Sequence, residues 1–451
     1  MKKKTAAGLL ALLLIIIIVA AVIWVFPKME GEPPAVTFPG LKPALGAASE
    51  FAVVIADSKN GLKSASVTLL AAGQEHALAD FSSAGSGEII ASKQFDISLA
   101  PKKAGIPDGP ATLRVQARDS AWRGWFKGNL AYVEKEVAID TKKPEVEVLT
   151  PQHYINKGGV GLVIYRVLEP DTVHGVQVGD RFFPGRAGQF EDANICLGFF
   201  AVAYDQPPDV SPMVQVTDAA GNITRAGFYH LIKPKVFAED LIPLSDGFLN
   251  TVMPAFDVPV PDDRPIETFK YVNTELRIKN DETIRSVCRQ SDNQQHWQGV
   301  FVSFPNATCR AAFGDHRTYQ YQGQVVSQAY HLGVDLASLA KSPVPAGNAG
   351  RVAFAGDLGI YGRAVIIDHG LGLFSLYGHL SQISVAEDQM VSRGETIGLS
   401  GQTGLAGGDH LHYSMLLQDT FINPIEWWDE SWITNNINSK KDMIRNPPAG
   451  S

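Results

Sequence analysis

The feature that most limits this chain is an unbroken apolar run from Ala6 to Phe26, preceded by three lysines, Lys2 to Lys4. At about 1.5 Å per residue a helix of this run spans roughly 30 Å, the thickness of a bilayer core. Because lysines stay on the cytoplasmic side, residues 1–30 predict a cytoplasmic tip and a single-pass transmembrane anchor. The bulk of the chain is then periplasmic or extracellular. The alternative is a cleaved signal peptide, whose apolar stretch is usually about 7–15 residues long.

The composition excludes several classes of protein. A length of 451 residues allows roughly two to four domains, and 45% hydrophobic residues exclude a disordered chain. A net charge of −8 gives no basic surface for nucleic acid, so no nucleic-acid partner is expected. Three cysteines are too few for a disulfide scaffold or a Cys-rich zinc module. A metal site would therefore use histidines and carboxylates.

Residues 50 to about 235 contain short apolar or alternating runs separated by Gly, Pro, Asn and Asp, which is typical of β-sandwich domains. A weak repeat supports two such domains, because Val115–Ala121 is echoed by Val214–Ala220 about one immunoglobulin-like domain later. We therefore predict two immunoglobulin-like β-sandwiches, at 31–143 and 144–235. They would hold a C-terminal domain away from the bilayer and be available to other envelope proteins.

The remaining sequence divides into three parts. Residues 236–296 are rich in proline, with a helical pattern at 266–290, and predict a partly helical connector. A C-terminal domain at 297–430 and a polar tail at 431–451 follow. In an oxidising compartment Cys288 and Cys309 are candidates for a disulfide bond, which would leave Cys196 single.

Seven of the 11 histidines lie after residue 295, so the chemistry is expected in the C-terminal domain. Polar and apolar residues alternate around residue 331, and in a strand His331 and Asp335 would share one face. The same argument places His410 and His412 on one face, and His379 lies between these two motifs in sequence.

Two imidazoles on one buried face are unfavourable unless each has a partner, and a divalent metal is one such partner. Zinc fits best, since catalytic zinc sites use three ligands drawn from His and carboxylate. The alternative is that backbone groups satisfy these histidines. Spacing alone does not decide which of His410 and His412 would be the ligand.

Three motifs occur in order in the C-terminal domain: His331-Leu-Gly-Val-Asp335, Tyr377-Gly-His379-Leu380, and Gly401-Gln-Thr-Gly404 running into His410-Leu-His412. Through these motifs, residues 318–427 resemble the lysostaphin-type, or LytM-like, zinc metallopeptidases of bacterial cell walls. The resemblance covers about 110 residues and does not include the modules before residue 236.

The resemblance implies an antiparallel β domain in which His331, Asp335 and His412 bind Zn²⁺. His379 and His410 would be catalytic, one taking the proton of the attacking water and the other stabilising the oxyanion, in an order that the resemblance does not settle. We therefore expect a membrane-anchored zinc endopeptidase that hydrolyses peptide bonds in peptidoglycan stem peptides or cross-bridges.

Two alternatives stay open. The same groove could bind cell wall without cleaving it, as a scaffold or an activator of another hydrolase, or the sandwich modules could carry the main function in adhesion. The sequence also leaves open the bond cleaved, the oligomeric state and whether residues 236–296 cover the groove. If they do, truncation to start near residue 297 should raise activity.

Overall fold

The computed structural model describes residues 2–83, 89–207, 209–260 and 264–446. The chain divides into two compact units. The first unit comprises Met1–Pro144, Glu169–Thr172 and Thr217–Thr224, and the second comprises Glu145–Leu168, Val173–Val216 and Arg225–Ser451. Strands are the predominant regular structure of both units, which confirms the mainly β class expected from the sequence.

The apolar run forms a helix at Lys2–Val25, followed by a 3₁₀ turn at Phe26–Met29. The stretch Gly8–Met29 is long and apolar enough to cross a bilayer. A helix suits such a segment because it satisfies the backbone hydrogen bonds internally.

Eight strands of the first unit form a three-stranded sheet, in the order β1-β3-β6, and a five-stranded sheet, in the order β2-β8-β7-β4-β5. Alternate residues of both sheets, such as Val53 and Val115, are fully buried in one apolar cluster, as the period-two pattern of strands requires. The strands are β1 (Ala35–Thr37), β2 (Ala44–Leu45), β3 (Ser49–Ala56), β4 (Leu62–Ala71), β5 (Gln74–Ser82), β6 (Ser92–Leu99), β7 (Gly109–Asp119) and β8 (Leu130–Ile139).

The next nine strands form sheets in the orders β14-β11-β9, β13-β12-β15-β16 and β10-β17. Strand β11 is buried on both faces, which explains why its apolar residues follow one another in the sequence instead of alternating with polar residues. The strands are β9 (Val146–Val148), β10 (His153–Asn156), β11 (Val160–Val167), β12 (Val173–Val178), β13 (Arg181–Pro184), β14 (Ile195–Ala201), β15 (Met213–Thr217), β16 (Ile223–Gly227) and β17 (His230–Lys233).

The segment predicted as a connector begins with strand β18 (Glu239–Pro243) and continues with helices. Ser245 caps the first helix by accepting a hydrogen bond from the backbone N–H of Phe248. The helices lie at Asp246–Val252 and Pro265–Tyr271, and the latter continues through a π-helical turn at Val272–Leu276 into Arg277–Cys288.

The C-terminal domain is built on an eight-stranded sheet in the order β19-β22-β30-β26-β25-β24-β28, with β31 paired to β30. Strand β18 joins a second sheet, β18-β20-β21, by parallel pairing with β20. The strands are β19 (Thr308–Ala311), β20 (His316–Tyr321), β21 (Gln324–Tyr330), β22 (Val334–Ala337), β23 (Pro343–Pro345), β24 (Gly350–Asp357), β25 (Arg363–Asp368), β26 (Leu373–Leu380), β27 (Gln382–Ile383), β28 (Met390–Val391), β29 (Thr396–Leu399), β30 (Leu411–Leu417) and β31 (Thr420–Ile422).

The stretch expected to be a polar tail is helical in its described part. After a 3₁₀ turn at Pro424–Trp428, which belongs to the predicted 297–430 domain, helices lie at Glu430–Ile433, Thr434–Asn438 and Ser439–Arg445, whereas residues 447–451 lie outside the described residues. Ile433 and Ile437, four residues apart, are both buried, so an apolar stripe fixes these helices to the domain.

All three cysteines are free. The candidate bond between Cys288 and Cys309 is therefore absent. Cys288 is buried at the end of a helix, whereas Cys309 lies on the exposed side of β19, and spacing in the sequence carried no information about this separation.

Candidate metal centre

Three neighbouring strands bring most of the predicted site residues together. In the antiparallel pairing of β22 with β30, Asp335 lies opposite His412. In the pairing of β26 with β30, Gly378 lies opposite the same His412, which places His379 one residue away. Cross-strand neighbours of this kind have Cβ atoms about 4.5–5.5 Å apart, so the side chains can touch.

His331 reaches the site by a different route from the one the sequence predicts. It does not share a strand with Asp335, because β21 ends at Tyr330 and β22 starts only at Val334. The link between them directs the His331 ring inward, where its Nδ1 lies 2.9 Å from the carbonyl oxygen of Ala312. The alternation around residue 331 is thus not that of a continuous strand.

The side chains of His331, Asp335 and His412 meet at one point. The His331 Nε2 atom lies 2.9 Å from Asp335 Oδ1 and 3.0 Å from His412 Nδ1, and His412 Nδ1 lies 2.9 Å from Asp335 Oδ1. All three residues are at most 9% exposed. Of the predicted residues, these three form a group in which each offers one ligand atom to a common point.

The hydrogen bonds behind the two rings determine where their protons lie. Ser414 donates its hydroxyl proton to the carbonyl oxygen of Leu332, so it can only accept from His412 Nε2, 2.9 Å away. His331 Nδ1 donates to Ala312 because a carbonyl only accepts. In the neutral rings, His412 Nδ1 and His331 Nε2 therefore carry lone pairs.

Those two lone pairs and the Asp335 oxygen point at one another with no proton between them. Three buried acceptors in mutual contact repel, and a cation is the partner that removes the repulsion. Ligand atoms of a tetrahedral zinc site would lie about 3.3 Å apart, given metal–ligand distances of about 2.0–2.1 Å. A small outward movement of each side chain would produce that spacing, so the residues fit the metal.

The second carboxylate oxygen of Asp335, Oδ2, is also held by a hydrogen bond. This oxygen accepts a hydrogen bond from Arg317 Nη2 at 3.0 Å, and this ion pair is largely buried. Burial alone would raise the pKa of the Asp335 carboxyl, but His331, His410 and His412 hold that pKa well below its usual range. The carboxylate is thus charged and held with Oδ1 towards the two histidines.

His379 enters the site from a β-bulge. The pairing of β26 with β25 shifts between Tyr377 and Leu380, so that two residues, Gly378 and His379, face one. His379 has a φ of 62°, a left-handed conformation that is uncommon for a residue with a side chain and is found at functional sites. Its Nδ1 donates to the Thr403 carbonyl at 2.8 Å, which leaves Nε2 as an acceptor.

His410 lies just before β30 and faces His379, with 4.7 Å between the ring centroids. Its Nδ1 donates to the Gly408 carbonyl at 2.8 Å, and its Nε2 lies 3.6 Å from Asp335 Oδ1. Burial, reinforced by His410 and His412, lowers the pKa of His379 to about 3. Burial also acts to lower the pKa of His410, but the interaction with Asp335 outweighs it and raises that pKa.

These five residues line one cavity of about 330 Å³. Strand β18, the link after it and the helices that follow form part of its wall, contributing Ile242, Leu244, Phe248 and Phe269. The cavity is therefore lined by apolar side chains together with a small set of ionisable groups, which is the usual character of a site for an organic ligand.

Sequence reasoning missed two side chains that touch the candidate ligands, Ser414 and Arg317. Ser414 follows His412 by two residues on the same strand, so the alternation that paired His410 with His412 also pointed to it. Arg317 lies on β20, in a different sheet, and no local pattern connects it to Asp335.

Residues 329–424 match the model of peptidase family M23, which confirms the resemblance drawn from the motifs. The DD-carboxypeptidase/endopeptidase Mpg of Neisseria meningitidis is 43% identical over 95 residues, which make up 21% of this chain and 22% of that protein. The peptidoglycan DD-endopeptidase ShyA of Vibrio cholerae is 39% identical over 98 residues, 22% of this chain and 23% of that protein. The chain thus matches less than a quarter of the length of these curated relatives.

Among solved structures, a peptidase M23 protein from Pseudomonas aeruginosa aligns with 60% of this chain and 93% of its own, at 21% identity and a TM-score of 0.37.

Proposed function

We propose that this protein is a membrane-anchored zinc endopeptidase acting on peptidoglycan peptides. The M23 metallopeptidase domain near its C-terminus supports this activity. The observation that carries the proposal is the convergence of His331 Nε2, Asp335 Oδ1 and His412 Nδ1, three acceptors with no proton among them. Two imidazoles and one carboxylate are a donor set suited to catalytic zinc.

A bound zinc ion supplies Lewis acidity, which activates water for attack on an amide carbonyl near neutral pH. The chain's own residues then handle the proton. His379 and His410 each keep Nδ1–H on a backbone carbonyl, so Nε2 of either ring is available to accept the proton of water and return it to the leaving amine. The other ring, when protonated, donates a hydrogen bond to the oxyanion.

Arg317 orients the candidate ligand and does not contact the reacting atoms in this scheme. Its bond to Asp335 Oδ2 leaves Oδ1 as the oxygen that faces His331 and His412. Outer groups of this kind hold a ligand in place, and their loss typically weakens metal binding by about 10–100-fold.

The substrate class is inferred from the relatives, one of which is named a peptidoglycan DD-endopeptidase and the other a DD-carboxypeptidase/endopeptidase. We propose that residues 1–30 are a transmembrane anchor with a cytoplasmic N-terminus and that the bulk is periplasmic or extracellular. The sheets of 31–143 and 144–235 are proposed to be immunoglobulin-like modules that space the peptidase domain from the bilayer and offer surfaces to other envelope proteins.

The test is digestion of purified cross-linked muropeptides with the full chain in detergent, followed by mass spectrometry for new amine ends. We expect cleavage that a chelator abolishes and zinc restores. Asp335→Asn should abolish cleavage and zinc binding, whereas Asp357→Asn, an exposed aspartate at the end of β24, should change neither. Binding of muropeptide without any new amine end would instead support a wall-binding scaffold.

A further inference from the structure

The turn between β7 and β8 exposes two large aromatic side chains. Trp125 is 92% exposed and Phe126 is 60% exposed, and both lie in the sequence Arg123-Gly-Trp-Phe-Lys127. Adjacent exposed aromatic residues on a folded domain usually mark a surface that a membrane or a binding partner covers.

The backbone of this turn is strained. Gly124, Trp125 and Phe126 have φ values of 61°, 58° and 65°, a left-handed conformation that only glycine adopts without penalty. Hydrogen bonds maintain it, from Phe126 N–H to the Trp122 carbonyl at 3.2 Å and from Lys63 Nζ to the Phe126 carbonyl at 2.9 Å. Strain held by surrounding contacts is a feature of functional segments, and here its effect is to present two rings outward.

The same turn is attached to the end of the apolar helix. The Trp122 N–H donates to the Lys28 carbonyl at 2.7 Å, and the Trp122 and Trp24 rings lie edge to face with centroids 5.2 Å apart. The Lys28 ammonium lies 3.9 Å from the centroid of the Trp24 ring. Trp125 and Phe126 therefore lie close to the residues at which the helix would leave a bilayer.

The charge of the turn also suits a membrane surface. Arg123 and Lys127 flank the two aromatics and are exposed, and residues 121–128 contain no carboxylate. Tryptophan and other amphipathic rings concentrate at the headgroup level, and basic residues beside them are attracted to anionic lipids.

We propose that residues 121–128 form a second membrane contact, in which Trp125 and Phe126 insert between the lipid headgroups of the bilayer that holds the helix. The proposal rests on the membrane anchoring proposed above. With two attachment points, the first unit would be held in one orientation on the membrane surface instead of rotating freely about a single helix end.

The test uses the full chain reconstituted into vesicles of phosphatidylcholine and phosphatidylglycerol, with and without lipids brominated near the headgroup, which quench nearby tryptophans. Trp125→Phe should remove a quenched component of the fluorescence. Trp24→Phe is the matched variant on the helix and should remove another. Because Trp125 is almost fully exposed, its replacement leaves the packing of the domain intact.

The outcomes separate the two proposals. If Trp24→Phe reduces quenching and Trp125→Phe does not, the helix is in the membrane and the turn is not, which overturns this inference alone. If neither variant reduces quenching and alkaline carbonate releases the chain from the vesicles, the anchor itself is wrong. As a second measure, Trp125→Ser with Phe126→Ser should lower the quenching of Trp122 in the same vesicles, and unchanged quenching would count against insertion.

Discussion

The side chain of Ser414 controls the proton on His412 although it contributes no candidate ligand. Its hydroxyl proton is committed to the Leu332 carbonyl, so the imidazole must donate from Nε2 and keep Nδ1 free. Gly333 makes room for this arrangement, since a Cβ atom there would lie 2.6 Å from both the His412 ring and the Ser414 hydroxyl oxygen.

We predict that Ser414→Ala weakens zinc binding by about 10–100-fold, because His412 loses the acceptor that fixes its tautomer. The measurement is competition for zinc against a chromophoric chelator at neutral pH. The matched control is Ser375→Ala, which removes an equally buried hydroxyl 2.7 Å from His369 Nε2, away from the cavity. Equal zinc affinity in the two variants would contradict the role given to Ser414.

The site residues differ in whether the sequence pattern could predict their contacts. The period of two along a strand places His410 and His412 on the same side, and the structure brings both to Asp335. The same reasoning does not place His331, which lies in a link, or Arg317, which belongs to another sheet. Alternation describes one strand, whereas these contacts arise from the packing of separate elements.

Strand β18 and the helices after it are part of the fold of the C-terminal region. β18 pairs with β20 along five residues, Glu239–Pro243. The helices contribute to an apolar cluster of Leu244, Leu249, Met253, Ile266, Phe269 and Tyr319. Truncation near residue 297 would leave the edge of β20 unpaired and expose Tyr319, so we expect the truncated chain to lose stability rather than to gain activity.

Phe269→Ala tests whether this segment is integral. Phe269 is fully buried and packs edge-on against Tyr319 with ring centroids 5.1 Å apart, so its truncation should lower the free energy of unfolding by about 3–5 kcal/mol. Ile278→Ala, at a 55% exposed position in the same helical stretch, should change it by less than about 0.5 kcal/mol. Both are measured by denaturant unfolding, and similar small effects would mean that the segment is a detachable cover.

The sequence predicts a helical stretch at 266–290, and the structure has helix from Pro265 to Cys288. The pattern within one element was informative because an amphipathic helix has its own period. The pairing of the strand that precedes the helices was not predictable. Parallel pairing of β18 with β20 joins residues about 77 positions apart, and such pairing follows from tertiary packing alone.

At the scale of the whole molecule, Glu426 joins distant parts of the second unit. Its carboxylate accepts hydrogen bonds from Asn156 Nδ2 at 2.7 Å and from the Val160 N–H at 3.1 Å. Burial raises the pKa of Glu426 to about 7, although these two bonds and the charge of Lys235 act to lower it. The folded protein therefore holds this proton more tightly than the unfolded chain does.

A raised pKa in the folded state stabilises the fold below the ordinary glutamate pKa, and this contribution is lost as the pH rises from about 4.5 through 7. The glutamine of Glu426→Gln cannot ionise. We therefore predict that the free energy of unfolding of this variant decreases between pH 5 and pH 8 by about 1–3 kcal/mol less than that of the unmodified chain does. Denaturant titrations at the two pH values measure it. Glu282→Gln, at an exposed position, should keep the original pH dependence, and parallel curves for all three proteins would refute the prediction.

The three free thiols have a practical consequence for how the protein can be produced. Since no disulfide bond joins the described parts of the chain, folding requires neither a thiol oxidase nor a disulfide isomerase. Material made in a reducing bacterial cytosol should reach the same conformation as exported material, and dithiothreitol should leave its melting temperature unchanged.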